Sequence, residues 1–259
     1  MEKLRVLDLF SGIGGFSLGL ERTGGFETVA FCEIDPFCRR VLAKHWPDVR
    51  QFEDVTKLRG EDVGPVDVIC GGFPCQDISA AGRRAGIEGA RSGLWRDYVR
   101  LIRELRPSVV LVENSAELLG NGLGEVLGDL ASLGLNAVWD CIPAAVLGAP
   151  HGRDRIFVTA YAPQESWLHE PNVGHQLWRW VSDDRNAWSP SPWPSPAAAV
   201  CRVDDGIPDR VDRTGACGNS VVPKIIELHG NAILEARAAV DPNAFNPLRE
   251  YPRSYGAAS

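Results

Sequence analysis

With 259 residues, 44% of them hydrophobic and 24% charged, the chain has the size and composition of one soluble α/β domain with a small appended lobe. No apolar run approaches the roughly twenty residues that cross a bilayer, and the N-terminus runs straight into a strand-like stretch; neither a membrane span nor a signal peptide is expected, and the cytoplasm is the expected compartment. Seven cysteines without a CxxC spacing speak for reduced thiols and against a disulfide framework or a zinc site, and a net charge of −7 argues mildly against nucleic acid as a partner.

Along the chain, strand-like and helix-like segments alternate. Residues 5–10 form an apolar run that ends in Gly12, Ile13, Gly14 and Gly15, and residues 16–23 then read as helix. A second strand is expected at 28–32 and a helix at 36–45, with Pro36 in the first turn, where a missing N–H costs nothing. The runs 66–70 and 109–112 suit strands buried on both faces, and 96–105 and 123–133 have helical spacing. This alternation predicts an α/β, doubly wound, mostly parallel sheet of Rossmann-like type. Segments 137–142 and 155–159 are joined by a loop too short for a helical crossover, so they are expected to pair as an antiparallel edge hairpin. Residues 162–211 then hold five of the eight tryptophans and a run of prolines, as expected for a loop-rich lobe with an aromatic core, before a helix returns at 222–240. The expected division is 1–161 for the main domain, 162–210 for the lobe, 211–240 for a segment returning to the main domain, and 241–259 for a tail.

The chemistry-bearing residues cluster at strand ends. The glycines after the first strand allow close backbone approach to a ligand and leave helix N–H groups to meet it; Glu33 ends the second strand, where such folds grip a ribose. Cys75 follows Gly72, Phe73 and Pro74 at the carboxyl end of a central strand, where a positioned thiol becomes a nucleophile once its pKa is lowered. Cys32, Cys38, Cys70 and Cys141 read as buried small hydrophobes. Glu113 ends another buried strand and should face the same crevice as Cys75, while Arg153 and Arg155 flank the entry to the edge strand, two places apart and so on one face. Residues 82–106 carry seven arginines against three acids, which suits either a phosphate-contacting surface or an ion-paired helix face.

In this order the segments resemble the blocks of the DNA cytosine-5 methyltransferase family. Residues 8–15 are similar to its DxFxGxGG block, Pro74-Cys75-Gln76 to its Pro-Cys-Gln, and Glu113-Asn114 to its Glu-Asn-Val with Ser115 in place of valine. Arg153-Asp154-Arg155 resembles its Arg-x-Arg, and residues 218–223 its closing Gly-Asn-Ser/Ala-Val block. The resemblance implies S-adenosyl-L-methionine as cofactor and C5 methylation of a flipped-out cytosine in a short sequence of double-stranded DNA. It implies that Cys75 attacks C6 while Glu113 holds N3 and the exocyclic amine, and that Arg155, with Arg153, orients the base and the thiol. It also implies cofactor contacts from Phe10, Gly12, Gly14, Glu33, Asp54, Val55, Leu94, Asn219 and Ser220, with no metal. Residues 76–93 resemble the family's mobile loop. A monomer is expected, as part of a restriction-modification system with a cognate restriction endonuclease or without one. The late Leu-Thr-Pro block is not recognisable and the variable lobe is short, so the recognised sequence cannot be read. Three alternatives bear weighing. A tRNA-directed relative lacks support because no Cys-Phe-Thr follows the Pro-Cys pair, a nicotinamide oxidoreductase because the glycine spacing is not GxGxxG, and an inactive relative because Cys75, Glu113 and Arg155 are all present.

Overall fold

A computed structural model describes residues 2–74, 93–147, 152–162, 176 and 220–240. Seven strands among them form one sheet: β1 (Leu4–Leu9), β2 (Phe26–Cys32), β3 (Arg50–Phe52), β4 (Val68–Gly72), β5 (Val109–Ser115), β6 (Asn136–Pro143) and β7 (Asp154–Tyr161). Their order is β3-β2-β1-β4-β5-β7-β6. The first five are parallel; β7 enters antiparallel to β5, and β6 antiparallel to β7. This is the expected Rossmann-like sheet with its hairpin. One detail differs: β7, which carries Arg155, lies inside the sheet, and β6 is the edge.

The helices are α1 (Gly15–Arg22), α2 (Pro36–His45), α3 (Gly60–Val63), α4 (Gly93–Leu105), α5 (Leu123–Ser132) and α6 (Pro223–Val240). Pro36 opens α2 as expected, and the Asp35 side chain caps it by accepting from the N–H groups of Phe37 and Cys38. Side chains alternate across the strands, so each face of the sheet has its own core. On one face Leu7, Leu9, Ile69, Val110 and Val112 pack beneath Trp95, Tyr98 and Ile102 of α4 and Val126 and Leu130 of α5. On the other, Val6, Val68, Leu111 and Phe157 pack beneath Phe16 and Leu20 of α1 and Ile225, Ile226 and Ile233 of α6. Gly19 makes the α1–α6 approach possible: a Cβ there would lie 2.5 Å from the Pro223 carbonyl oxygen.

The short elements β3 and α3 have no counterpart in the sequence reading. With three and four residues, they are too brief to show a period.

Candidate functional site

Gly72 and Glu113 are register partners at the carboxyl ends of β4 and β5. Gly72 leaves room for the acid, since a Cβ there would lie 2.6 Å from Glu113 Oε2. Burial pushes the Glu113 pKa up from its ordinary value, opposed by the charges of Arg155 and Arg153 and by a hydrogen bond from Arg155. Arg155 Nε stands 2.8 Å from Oε1, yet no donor among the described residues is well aligned on that buried oxygen. The guanidinium is nonetheless in contact with the carboxyl, so burial and the neighbouring cations pull its protonation in opposite directions, burial the stronger.

Arg153 does not lie on the strand with Arg155. It precedes β7 in a left-handed conformation (φ 34°), so simple alternation does not orient it. Its Nη2 donates to the Ser220 carbonyl at 2.8 Å, tying the start of β7 to the segment leading into α6. Burial and the neighbouring Arg155 lower its pKa, against the pull of Glu113. Both arginines act on Glu113, Arg155 in direct contact and Arg153 through its charge.

Asn114, which the sequence reading gave no role, is buried and donates from Nδ2 to the Phe73 carbonyl at 3.1 Å. Its Oδ1 accepts the Ser115 N–H. The end of β5 therefore grips the chain two residues before position 75. Phe73 is gripped from the opposite side as well: its ring packs on Trp95 (5.1 Å between centroids), Trp95 on Tyr98 (5.4 Å) and Tyr98 on Phe10 (6.3 Å). Cys75 itself lies outside the described residues, as do Asn219, residues 76–92 of the expected mobile loop, the tail at 241–259, and residues 163–175 and 177–210 of the expected lobe. Gln176, from that segment, is buried and donates to Glu235 on α6.

The glycine segment forms a shaped ledge between β1 and α1. Phe10 (φ 51°), Gly12 (φ 54°) and Gly14 (φ 85°) all take left-handed conformations, which for Phe10 costs about 1–3 kcal/mol. Ser11 Oγ donates to the Asp8 carbonyl at 2.6 Å and secures the bend. A Cβ on Gly14 would collide with the Trp46 ring at 2.6 Å, whereas one on Gly12 would meet nothing within 4 Å. The open side of Gly12 is where a ligand would rest. Glu33 Oε2 accepts the Gly12 N–H at 2.7 Å and Oε1 the Asp35 N–H at 2.8 Å, so its carboxylate is fixed beside the ledge with lone pairs to spare. Ile34, between them, is 69% exposed; an apolar side chain flanked by Glu33 and Asp35 was the signal that could have marked it.

The expectation that the helix N–H groups of this loop stay free needs correcting. The Gly12 N–H is taken by Glu33, and the Ser17 N–H by Asp8 Oδ2, which also accepts from Ser17 Oγ at 2.7 Å. Asp8 is fully buried beneath α1, and desolvation raises its pKa to about 8.

On the far side of the ledge, Asp54 accepts from the Thr56 N–H and Oγ and pairs with Lys57 at 3.1 Å, bonds that hold its carboxyl below the ordinary value. Val55 is buried in the core beside it, and Leu94, in the first turn of α4, packs on the same core half-buried. Ser220 lies against Gly15, where a Cβ would meet its Oγ at 2.9 Å. Phe10, Gly12, Gly14, Glu33 and Ser220 thus border the glycine ledge. Arg100 belongs to neither a phosphate surface nor open solvent: it pairs with Asp97 and Glu104 on its own helix, the ion-paired alternative. Among the cysteines, Cys32, Cys38 and Cys70 are buried as expected, but Cys141 is exposed because it lies on the edge strand β6. A cleft of about 460 Å3 lined by Ile102, Arg106, Leu133 and Leu135 lies at the opposite end of the sheet and includes none of these residues.

Residues 4–186 match the model of the C-5 cytosine-specific DNA methylase family. The type II methyltransferase M2.BsuMI of Bacillus subtilis is 36% identical over 165 residues, covering 61% of this chain and 42% of that protein. The type II methyltransferase M.MspI of Moraxella sp is 29% identical over 266 residues, covering 97% and 63% respectively. The chain therefore spans about half the length of the curated relatives it matches. Among solved structures, a prophage-encoded E. coli protein described as a DNA modification methyltransferase superposes with a TM-score of 0.56 at 28% identity, covering 66% of this chain and 50% of that one. With the family model covering residues 4–186, and so the glycine ledge and the ends of β4 and β5, the chain belongs to the C-5 cytosine-specific DNA methylase family.

Proposed function

We propose that the chain transfers a methyl group from S-adenosyl-L-methionine to C5 of cytosine in a short sequence of double-stranded DNA, through a covalent bond between Cys75 and C6 of a flipped-out base. The observation that carries this reading is the buried Glu113 carboxyl, its pKa raised by burial and its Oε1 in contact with the Arg155 guanidinium, on the strand whose next residue, Asn114, holds the Phe73 carbonyl.

The residues fit the cofactor. The open backbone at Gly12 suits the methionine part, the anchored Glu33 carboxylate the ribose hydroxyls, and exposed Ile34 the apolar face of adenine. Val55 and Asp54 border the adenine edge, and Phe10, Gly14, Leu94, Asn219 and Ser220 complete the pocket. When bound, the cofactor supplies an electrophilic methyl group on a sulfonium.

The chain's own residues do the rest. Glu113, whose carboxyl burial biases toward its protonated form, donates in that form to N3 and accepts from the exocyclic amine, which draws electrons from the ring. The Cys75 thiolate adds to C6, and the electron pair released makes C5 nucleophilic. Arg155, in contact with Glu113, carries a charge positioned to meet the O2 carbonyl. Arg153 holds the Ser220 segment and, with it, the cofactor side of the site. After alkylation, loss of the C5 proton re-forms the double bond and expels the Cys75 thiolate. Residues 1–161 and 211–240 form the catalytic body in this reading, residues 162–210 a DNA-reading lobe and 241–259 a tail; the enzyme acts as a cytoplasmic monomer, with or without a cognate restriction endonuclease.

Bisulfite sequencing of DNA from cells expressing the chain tests the proposal, beside a Cys75→Ala control. Methylcytosine at one fixed short context, absent in the control, is the expected result. Methyl groups on adenine N6 or cytosine N4 overturn the mechanism.

A further inference from the structure

Helix α4 touches both the glycine ledge, at Phe10, and the chain leading to position 75, at Phe73. Trp95 packs on Phe73, Tyr98 stacks on Phe10 and donates to the Leu111 carbonyl of β5, and Leu94 opens the helix immediately after Gly93. Its outer side makes a different kind of connection. The Arg100 guanidinium donates from Nη2 to the Val55 carbonyl at 2.9 Å and from Nη1 to the Leu58 carbonyl at 2.8 Å. Asp97 and Glu104 hold the guanidinium at 3.1 Å each, one turn before and one turn after it. Glu104 also accepts the Gly60 N–H through Oε2 at 2.7 Å. The turn at 54–60 thus has three backbone groups fastened to one ladder of side chains on α4.

Inside that turn, Asp54 makes the remaining bonds: its carbonyl accepts the N–H groups of Lys57 and Leu58, and its side chain takes Thr56 and Lys57. Thr56, Lys57 and Arg59 are exposed, so the turn is seated by Val55 and Leu58 in the core, by Gly60 against Leu105, and by the fork of Arg100. A planar guanidinium meets two carbonyls from two nitrogens held in a fixed fork, whereas an ammonium would have to meet both from one rotatable nitrogen.

We propose that Arg100 is a positioning residue for cofactor binding: from α4 it sets the Asp54–Val55 edge against the glycine ledge, and so registers the adenine side of the pocket with the strand end that leads to the nucleophile. This inference rests on the cofactor reading above. It predicts a role in donor affinity, not in the chemical step, because Arg100 touches neither Glu113 nor Phe73 in this arrangement.

The test is titration calorimetry of the full chain with S-adenosylhomocysteine, together with kcat and KM for S-adenosylmethionine in methyl transfer to bacterial genomic DNA. Arg100→Ala is expected to weaken binding about tenfold and to raise KM in parallel, as loss of charged hydrogen bonds does, while kcat at saturating donor is retained. Arg100→Lys, which keeps the charge but loses the fork, is expected to fall between the two, and it decides the matter if the alanine variant does not fold. Wild-type affinity in the folded variants overturns the inference, as does a loss of kcat with donor affinity unchanged. Failure of the wild-type chain to bind S-adenosylhomocysteine sinks the cofactor reading beneath it, a result distinct from either.

Discussion

Glu113 is acidic by type and kept from ionising freely by its place, and Gly72 is what gives it that place. Glu113→Gln keeps the shape and removes the titrating proton; kcat is expected to fall about a hundredfold or more, the usual scale for a lost general acid, with donor affinity unchanged by calorimetry. In the proposed mechanism the acid acts in its protonated form, which burial favours, so wild-type kcat should decline on the alkaline side, and that decline should vanish in the variant. Gly72→Ala places a methyl group 2.6 Å from the unmoved Oε2. The carboxylate must shift, and a displacement near 1 Å costs on the order of a hundredfold in kcat; activity close to wild type would show that the acid is placed by something other than this gap. Single residues were unevenly legible. Glu113, Arg155 and the glycines declared themselves by lying at strand ends. Asp8 and Asn114 did not, because a buried acid beneath a helix and an amide holding a distant carbonyl follow from tertiary contact, which no local pattern carries.

Long elements were legible because period and capping agree. Pro36 after a capping Asp35 marks the start of α2, and the β-branched runs at 109–112 mark β5. The hairpin of β6 and β7 followed from loop length alone. Its internal order did not: nothing local shows that β7 inserts beside β5 and leaves β6, with exposed Cys141 and Trp139, at the edge. The placement of α6 over α1 was equally hidden, since it depends on Gly19 admitting the backbone of Pro223. Gly19→Val should force those helices apart at a cost of about 1–3 kcal/mol, read as a lower urea midpoint with an unchanged slope. An unaltered midpoint would mean that α6 is held elsewhere, as by Arg153 on Ser220.

Across the whole molecule, Asp8 and His229 are two of the buried titrating groups that, with Glu113, give stability its pH profile. Asp8 has its pKa raised by burial from 3.8 to about 8, so its contribution is full below about pH 4 and is lost as pH rises toward 8. His229, buried on α6 against Thr159, has its pKa lowered by desolvation from 6.5 to about 3; its contribution is full above pH 6.5 and is lost as pH falls toward 3. The two slopes oppose each other between about pH 4 and 6.5, and above that His229 no longer offsets Asp8. Asp8→Asn keeps an acceptor for Ser17 and should gain on the wild type by up to about 1.4 kcal/mol per pH unit between 4 and 8, measured by denaturant unfolding at each pH. A constant difference would place the Asp8 proton elsewhere. At this scale the Rossmann-like class, the hairpin and the family were all legible, because five short blocks in fixed order are harder to produce by chance than any one. The residues proposed to read DNA were not, because base contacts would depend on the conformation of residues 162–210, where tryptophans and prolines carry no pattern of base contact. The claim beneath the rest is a bond between Cys75 and a cytosine ring. Incubating the chain with S-adenosylmethionine and duplex DNA containing 5-fluorocytosine tests it most directly, since fluorine at C5 blocks the final elimination. A DNA adduct mapped by mass spectrometry to Cys75 is the predicted result; no adduct at that thiol, under conditions where unmodified DNA is methylated, would contradict the account.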